Sequence, residues 1–442
     1  MKVRAALLAV FAAFTLAAGT VRAEFFDLER AIDKAMGVST QVGVSRENLR
    51  TARSEILSGY ANLLPNLSLN AYTGHSFAGP ASGAFVDAQG RIVTGAASDF
   101  ESYSFSLSSQ MTVFDWGGNL ARLKQARRGA DAAGHDLEYQ KDFIKAVVIR
   151  EYYDLVKQRK LREVQEADVE AQERNLEQVE AFYRIGSRTK ADFLQARVNM
   201  GNSELALLNA RNAEAIADAR LKTRLNIAQT SDLKVDESLD ISFVDVDLES
   251  EATYMFDHRS DLLAGRQRIA ASRAGLSLAK KGWLPTLGAS FSYSWNDRRG
   301  PSSGEVFERD YVWQVGLSVQ WQIFDRFNTK TSIEQAQANH RVTEYNLQQS
   351  KLDAILDLKQ IYLNLAQAKE RLVLADETVG QATENLRLAE ERYRVGAGTI
   401  LETFQATASL TRAQAQLIEA RVDYLVNRAD LHRATGRSIT SE

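Results

Sequence analysis

The sequence has no cysteine, few prolines and almost no net charge. Among its 442 residues there are four prolines, and 54 basic residues face 57 acidic ones. Without cysteine the chain can form no disulfide, no thiolate metal site and no cysteine nucleophile. The balanced charge argues against a nucleic-acid partner, which needs a basic face or stripe. Because proline interrupts helices, its scarcity permits long ones.

The only long apolar run lies at the start of the chain. Residues 1–23 combine Lys2 and Arg4 with an apolar stretch and a small-x-small triplet at 21–23, which is the pattern of a cleaved secretory signal. We therefore expect the mature chain to begin at Glu24. The apolar stretch is shorter than the ~20 residues of a membrane-spanning helix. An exported chain of this kind that enters a membrane must cross it as strands.

The rest of the chain is predicted to be two copies of one unit. The glycine of a Tyr-Arg-x-Gly turn and an aspartate that follows a phenylalanine both recur after 210 positions. These pairs are Gly186 and Gly396, and Asp115 and Asp325. A Leu-Pro pair recurs after 220 positions, so the first copy carries about ten additional residues, which we place in a surface loop. We assign the first copy to residues 24–235 and the second to 236–442.

Each copy is predicted to contain a helix, two strands, a long helix, a turn and another long helix. Period-two alternation of apolar and polar residues indicates the strands, and the absence of turn residues indicates the long helices. In the first copy the strands lie at about 66–78 and 100–113, and the long helices at 115–184 and 190–226. In the second copy the strands lie at about 286–297 and 310–323, and the long helices at 325–394 and 400–435.

Each strand has one apolar and aromatic face and one face of small polar residues. Its length matches the ~9–11 residues that a tilted strand needs to cross a bilayer. A single strand of this type also fits a soluble sandwich, but four strands are too few to close a sandwich core. Export and the very long helices favour membrane strands. The polar face includes Ser68, Ser104, Ser106, Ser290, Ser292, Gln314 and Ser318.

Apolar residues recur at every seventh position of the first long helix of each copy. In the second copy they are Leu358, Leu365, Leu372, Val379, Leu386 and Tyr393. In the first copy they are Val148, Leu155, Val169, Leu176 and Tyr183, and Arg162 interrupts the series. A sustained seven-residue repeat predicts left-handed supercoiled packing of these helices.

Four strands cannot close a membrane barrel, since the smallest have about eight. Open strand edges are not tolerated in lipid, so several chains must share one barrel. Two chains would supply eight strands, whose interior side chains largely fill, whereas three would supply twelve around a wider lumen. The serine-rich faces would then line water.

The signal sequence, the duplicated layout and two turns resemble the TolC-like outer membrane efflux proteins. The turns read YRIGSRT from Tyr183 and YRVGAGT from Tyr393, and the likeness covers nearly all of the mature chain. The resemblance implies a mostly α fold with membrane β: a homotrimer in outer membrane lipid, with a 12-stranded barrel of four strands per chain and a long periplasmic α-helical tunnel. It also implies a periplasmic adaptor and a proton-driven or ATP-driven inner-membrane pump as partners.

The function implied is passive efflux of small molecules through the outer membrane. An exit duct for a type I secreted polypeptide is an alternative that the sequence does not separate from it. A soluble periplasmic coiled-coil scaffold is an alternative from another class. No enzyme or cofactor is expected, because the five histidines are scattered and no metalloprotease, phosphate-binding or nucleophile-elbow motif occurs.

The resemblance places the two turns at the periplasmic tip, where the adaptor docks. The tip residues are Tyr183, Arg184, Gly186, Tyr393, Arg394, Gly396 and Gly398. A simpler alternative is that the two tyrosines belong to the packing seam and that Gly186 and Gly396 end helices. Gly398 stands where some relatives have an arginine that holds the entrance shut, and Arg188 is the nearest substitute.

The resemblance also implies an acidic entrance formed by Asp192 and Glu402. Gln195 and Gln405 occupy the positions where relatives can have a second acidic residue, which predicts a less charged constriction. A purely local alternative is a capping box, because a threonine precedes each acidic residue by three positions. In a trimer each acidic side chain would appear three times and form a ring that favours cations.

Overall fold

The computed structural model describes residues 24–79, 84–86, 89–94, 98–297 and 308–437. The predicted signal sequence 1–23 lies outside these residues. The chain divides into two compact units. We call the first the helical unit; it comprises the chain up to Arg46, His135–Leu263 and the chain from Gln349. The second, the sheet unit, comprises Glu47–Gly134 and Ala264–Gln348.

The first half of the chain has the main elements in the expected order, but the first helix is divided in two at Ser39 and four short strands are present that we did not expect. Its elements are β1 (Glu24–Phe26), α1 (Leu28–Val38), α2 (Thr40–Ala61), β2 (Ser68–Ala78), the short strands β3 (Ala84–Val86) and β4 (Ile92–Thr94), β5 (Ser98–Phe114), α3 (Gly118–Arg184), α4 (Lys190–Leu225) and β6 (Leu233–Val235).

The second half has the same order of main elements. They are α5 (Leu248–His258), α6 (Ser260–Lys280), β7 (Thr286–Asp297), β8 (Tyr311–Gln320), α7 (Asn328–Arg394) and α8 (Ile400–Thr435). No helix in the described part of the chain combines the length and apolarity that crossing a membrane requires.

The sheet unit is built around a four-stranded antiparallel sheet in the order β2-β5-β7-β8. Its register aligns the predicted polar faces across all four strands. Asn70 lies opposite Ser106, Ser106 opposite Ser294, and Ser292 opposite Gln314. Because residues that face each other across antiparallel strands point to the same side, the seven predicted polar residues share one face of the sheet.

Two strand ends differ from the predicted bounds. We expected the last strand to reach residue 323, but β8 ends at Gln320. We expected the second strand to end at 113 with Val113 on the apolar face, but β5 continues to Phe114. The register shifts between Thr112 and Phe114, so Val113 is the additional residue of a bulge and Phe114 takes its place opposite Leu287.

The long helices α3 and α7 begin three residues later than predicted, and two aspartates explain the delay. Asp115 accepts hydrogen bonds from the backbone N–H of Gly117 at 3.1 Å and of Asn119 at 2.6 Å. Asp325 accepts one from the N–H of Thr329 at 2.6 Å. Each aspartate is followed by two residues with positive φ, between +54° and +76°, so the chain turns before the helix starts.

Six positions of the heptad series belong to the core of the helical unit. Leu358, Leu365, Leu372 and Tyr393 are buried, and so are Val148 and Leu155. Arg162, which interrupts the series in the first copy, pairs with Glu166 at 2.8 Å and with Glu214 at 2.6 Å. The interruption is therefore an ion-pair layer between α3 and α4, in place of an apolar layer.

The break between α5 and α6 is held by Arg259. Its guanidinium is buried and lies 3.0 Å from Asp261 and 3.1 Å from Asp357 on α7. Burial alone would lower the pKa of Arg259, but the two carboxylates outweigh it and raise that pKa above its ordinary value. Arg433 on α8 also reaches Asp357, at 3.3 Å. The network thus joins α6, α7 and α8.

We predict that Arg259→Met destabilises the helical unit by roughly 1–3 kcal/mol, because it leaves a partly buried carboxylate without its main partner. The matched control is Arg371→Met. Arg371 also bridges two carboxylates, Glu419 and Asp423, but its side chain is 46% exposed, so we expect a loss of less than about 1 kcal/mol. Thermal unfolding followed by helical circular dichroism checks both, and equal losses would contradict the assignment.

Candidate functional site

The site expected from the sequence lies at the two turns that join long helices in the helical unit. Both turns end a helix with a left-handed glycine, Gly186 at φ +75° and Gly396 at φ +77°. The N–H of the following residue then bonds back to a carbonyl of the helix, from Ser187 to Phe182 and from Ala397 to Arg392, each at 2.9 Å. This is a Schellman-type ending, which glycine adopts without a steric penalty.

Gly398 is constrained by close approach of the backbone. A Cβ atom at this position would lie 3.1 Å from the backbone nitrogen of Tyr393 and 3.1 Å from Cβ of Arg392. An arginine at 398 would therefore require the turn to shift. The second turn is instead tied by Arg392, whose guanidinium lies 3.6 Å from the carboxylate of Glu402.

The two acidic residues have different surroundings. Asp192 forms a complete capping box: Thr189 Oγ1 accepts from the Asp192 N–H at 3.2 Å, and Asp192 Oδ2 accepts from the Thr189 N–H at 3.1 Å. Glu402 receives no such bond from the Thr399 backbone; its own N–H donates to Thr399 Oγ1 at 3.3 Å. The carboxylate of Asp192 thus stabilises the start of α4 through a backbone hydrogen bond, whereas the carboxylate of Glu402 has no such bond.

The two tyrosines of the turns are not equivalent. Tyr393 is buried, at 7% exposure, in an apolar cluster with Val179, Ala196, Ile400 and Phe404. Tyr183 is 37% exposed and stacks on Phe193, with ring centroids 5.5 Å apart. Tyr393 therefore behaves as a seam residue, whereas Tyr183 presents one face to solvent.

Arg188 packs on the buried tyrosine of the other copy. Its guanidinium lies over the Tyr393 ring, 4.7 Å from the centroid, which is a favourable cation–π distance. Arg184 pairs with Glu180 on its own helix at 2.6 Å, and Arg394 is exposed. The turns of the two copies are thus joined through Arg188 and the apolar cluster beneath it.

Gln195 and Gln405 line one polar groove of about 490 Å³ between α3, α4 and α8. At its floor lies Asp168, which the sequence analysis missed. Thr411 on α8 donates to Asp168 at 3.1 Å, and the buried Ser203 on α4 donates to its other oxygen. No sequence pattern marks Asp168, because its two partners lie 35 and 243 positions away in the sequence.

Within the described residues no cluster of histidine, aspartate and glutamate could hold a metal ion. Caps, ion pairs and stacking engage many of the polar groups at the turns, but the Tyr393 hydroxyl is buried without a hydrogen-bond partner among the described residues. The arrangement can present charge and shape to a passing solute or a partner protein.

Comparison with known proteins identifies the family. The family model described as "Outer membrane efflux protein" matches residues 31–226 and 255–437. The chain is 23% identical over 417 residues to the pyoverdine export outer membrane protein OpmQ of Pseudomonas aeruginosa, covering 93% of this chain and 85% of that protein. It is 24% identical over 439 residues to outer membrane protein TolC of Escherichia coli, with 93% and 84% covered.

Solved structures of low sequence identity share the fold. The Campylobacter jejuni CmeC outer membrane channel superposes with a TM-score of 0.82 at 15% identity, over 93% of this chain and 85% of that one. The outer-membrane channel OprN gives 0.78 at 20% identity, over 93% and 90%. The expected fold class is thus confirmed. The chain belongs to the outer membrane efflux protein family and is a TolC-like channel protein of the outer membrane, not an enzyme.

Proposed function

We propose that three copies of the chain form one passive channel that carries small molecules out of the cell. In this proposal the sheets form a shared 12-stranded barrel, and the helices continue it as a periplasmic tunnel. A periplasmic adaptor and an inner-membrane pump deliver the solute and supply the energy. The two-copy division at residues 235 and 236 is part of the same proposal.

The observation that carries the proposal is that the four-stranded sheet is open at both edges. It is built from two hairpins, and one of its faces is apolar while the other is polar. Among the described strands, β2 pairs only with β5, and β8 pairs only with β7. Each edge therefore has a row of backbone N–H and C=O groups without partners, which lipid does not tolerate. If β8 of each chain pairs with β2 of the next, three chains close one barrel, and no chain has to change its fold.

The two faces of the sheet differ in polarity, which supports a barrel with the apolar face towards lipid and the polar face towards the lumen. Val315, Leu317 and Val319 are each at least 70% exposed in the single chain, and they lie on the face opposite Gln314 and Ser318. Lipid is the natural environment for such a face. The opposite face, with its serines and Gln314, would line the water-filled lumen.

We assign the charge of the periplasmic entrance chiefly to Glu402. The Asp192 carboxylate already accepts from the Thr189 N–H at the start of α4. Glu402 is 40% exposed, lies 3.6 Å from Arg392 and accepts from the Thr399 hydroxyl at 3.3 Å, but it receives no backbone amide. Repeated three times, these residues would form a ring that favours cations. Gln195 and Gln405 add no charge, so the ring has one acidic residue per copy of the repeat.

The relatives favour small solutes over a polypeptide. Two relatives, from Pseudomonas aeruginosa and Pseudomonas putida, are named for pyoverdine export, and that substrate is stated of those proteins. The exit duct for a secreted polypeptide is the second candidate. Because the chain belongs to an outer membrane family, we do not favour the third candidate, a soluble periplasmic coiled-coil scaffold.

We predict that Val315→Arg prevents assembly, since an arginine on the lipid face near the bilayer midplane costs about 2–4 kcal/mol. The adjacent Gln314→Arg is the matched control: it adds the same charge to the lumen face, so trimers should form and their conductance should change. Native mass measurement in detergent and bilayer conductance check the pair. A stable monomer of the unaltered protein with a folded sheet would contradict the shared barrel.

We predict that Glu402→Gln lowers the cation preference of the channel more than Asp192→Asn does, and that only Asp192→Asn weakens the start of α4. The substituted amide keeps an acceptor oxygen but loses the negative charge at the helix start, which should cost roughly 0.3–1 kcal/mol. Ion selectivity in planar bilayers measures the first effect and thermal unfolding the second. Glu384→Gln, on the exposed face of α7, is the charge-matched control. Unchanged selectivity in the double variant would leave both residues with local roles only.

We predict that deleting the gene in its own host increases sensitivity to small toxic compounds and leaves the secreted proteins unchanged. Restoring the gene should reverse the effect, and the Val315→Arg variant should not. Growth inhibition and analysis of the culture medium measure the two outcomes. Loss of a secreted polypeptide with unaltered drug sensitivity would instead support the duct.

A further inference from the structure

The first residues of the second copy are fixed on the surface of the helical unit. Residues 236–247, which we call the strap, contain no helix or strand. Tyr424 on α8 holds them: its Oη accepts from the Val244 N–H at 3.0 Å and donates to the Ser242 carbonyl at 3.3 Å. Arg428 donates to Ser242 Oγ at 2.9 Å. The strap is therefore a bound element with a defined position.

The strap leaves apolar side chains facing outward beside α7. Phe243 packs edge-on against the ring of Tyr424, with centroids 5.5 Å apart, and is still 51% exposed. Val244 is 42% and Val373 on α7 is 48% exposed. An open groove of about 540 Å³ runs between strap and helix, with an apolar floor of Leu239, Ile241, Phe243, Leu372 and Val373. We call it the strap groove.

The rim of the strap groove is acidic. Asp240, Asp376 and Glu377 lie along it together with Arg421. One further cation is close by, since the ammonium of Lys369 lies 5.6 Å from the centroid of the Phe243 ring. None of the three carboxylates has a hydrogen bond or ion pair within the described part of the chain. The surrounding sequence adds negative charge to this surface, since residues 236–251 contain seven acidic residues and no basic one.

Several of the other acidic residues of this stretch have local partners, whereas the carboxylates of Asp245 and Glu249 have none among the described residues. Glu237 pairs with Arg159 at 3.1 Å and Glu251 with Arg437 at 2.9 Å. Asp247 caps α5 through the Ser250 N–H at 3.1 Å. The rim carboxylates serve no such purpose. Nor do they form a metal site, because the described residues contain no cluster able to hold one.

The first copy builds no counterpart of this groove. At the position that corresponds to Leu372 it has Arg162, which is paired with Glu166 and Glu214. The corresponding surface of α3 is thus polar and satisfied. The apolar floor and the unpaired acidic rim belong to the second copy alone.

An apolar floor with an unpaired acidic rim is complementary to one kind of partner. An amphipathic helix can lay an apolar stripe into a groove, and lysine or arginine beside that stripe would meet the carboxylates. We propose that the strap groove docks a basic amphipathic helix of a periplasmic protein. This surface is separate from the turns Gly186 and Gly396 and does not depend on the adaptor contact proposed there.

The absence of cysteine makes the groove simple to label. In Val373→Cys the single thiol can carry a fluorophore at the groove floor, on the full chain assembled in phosphatidylcholine nanodiscs. The probe is a synthetic 18-residue amphipathic helix of leucine and lysine, and its counterpart has glutamate in place of lysine. We expect the lysine helix to change the fluorescence saturably and the glutamate helix to have no effect.

The rim is tested by removing its charge. Asp240→Asn, Asp376→Asn and Glu377→Gln together should weaken binding of the lysine helix by about tenfold or more. The matched control neutralises three exposed carboxylates on α3 and α4, namely Glu173→Gln, Glu177→Gln and Glu204→Gln, and should change binding less than about twofold. Circular dichroism and native mass confirm that both triple variants fold and assemble.

Two results would overturn the proposal. Equal binding by the rim variant and the control variant would show that the peptide recognises only general charge or the nanodisc. A thiol at position 373 that reacts with maleimide in unfolded chains but not in the assembled protein would show that a second copy covers the groove. Neither result would affect the proposed channel, which is measured by conductance.

Discussion

The constraint on which the structure depends is that lipid leaves no backbone hydrogen-bonding group unpaired. Each chain supplies a sheet whose two outer strands, β2 and β8, are paired on one side only. The pairing that completes them must come from the same edges of identical chains. Duplication gives each chain two hairpins of the same polarity pattern, and the register of β5 against β7 joins them into one continuous amphipathic surface. Assembly thus follows from an incomplete sheet.

Duplication has left the two copies free to specialise. In the first copy Arg162 forms an ion-pair layer and Asp192 closes a capping box. In the second copy Leu372 is buried at the position of Arg162, and Glu402 stays partly free. The apolar layers and the exposed carboxylate are therefore concentrated in the second copy, while the first copy has more local ion pairing.

The sequence predicted the order of elements well, because amphipathic periods of two and seven report directly on burial. It failed where single residues set the geometry. Asp115 and Asp325 delay α3 and α7 because each precedes two left-handed residues, which no period reveals. The bulge at Val113 moves one residue off its face. The role of Asp168 was not predicted, because its partners Ser203 and Thr411 come within hydrogen-bonding distance only in the folded chain.

At the turns, packing and charge are carried by different residues. Tyr393 on α7 is held by side chains of three other helices and covered by Arg188, so separating the two copies there would expose an apolar cluster. Beneath it, Asp168 joins α3 to α4 and α8 through two hydroxyl donors. Glu402 takes no part in either contact. Movement of the turns must therefore work against the cluster and the Asp168 bonds, whereas the field at the proposed entrance would depend on a carboxylate that can be replaced without disturbing them.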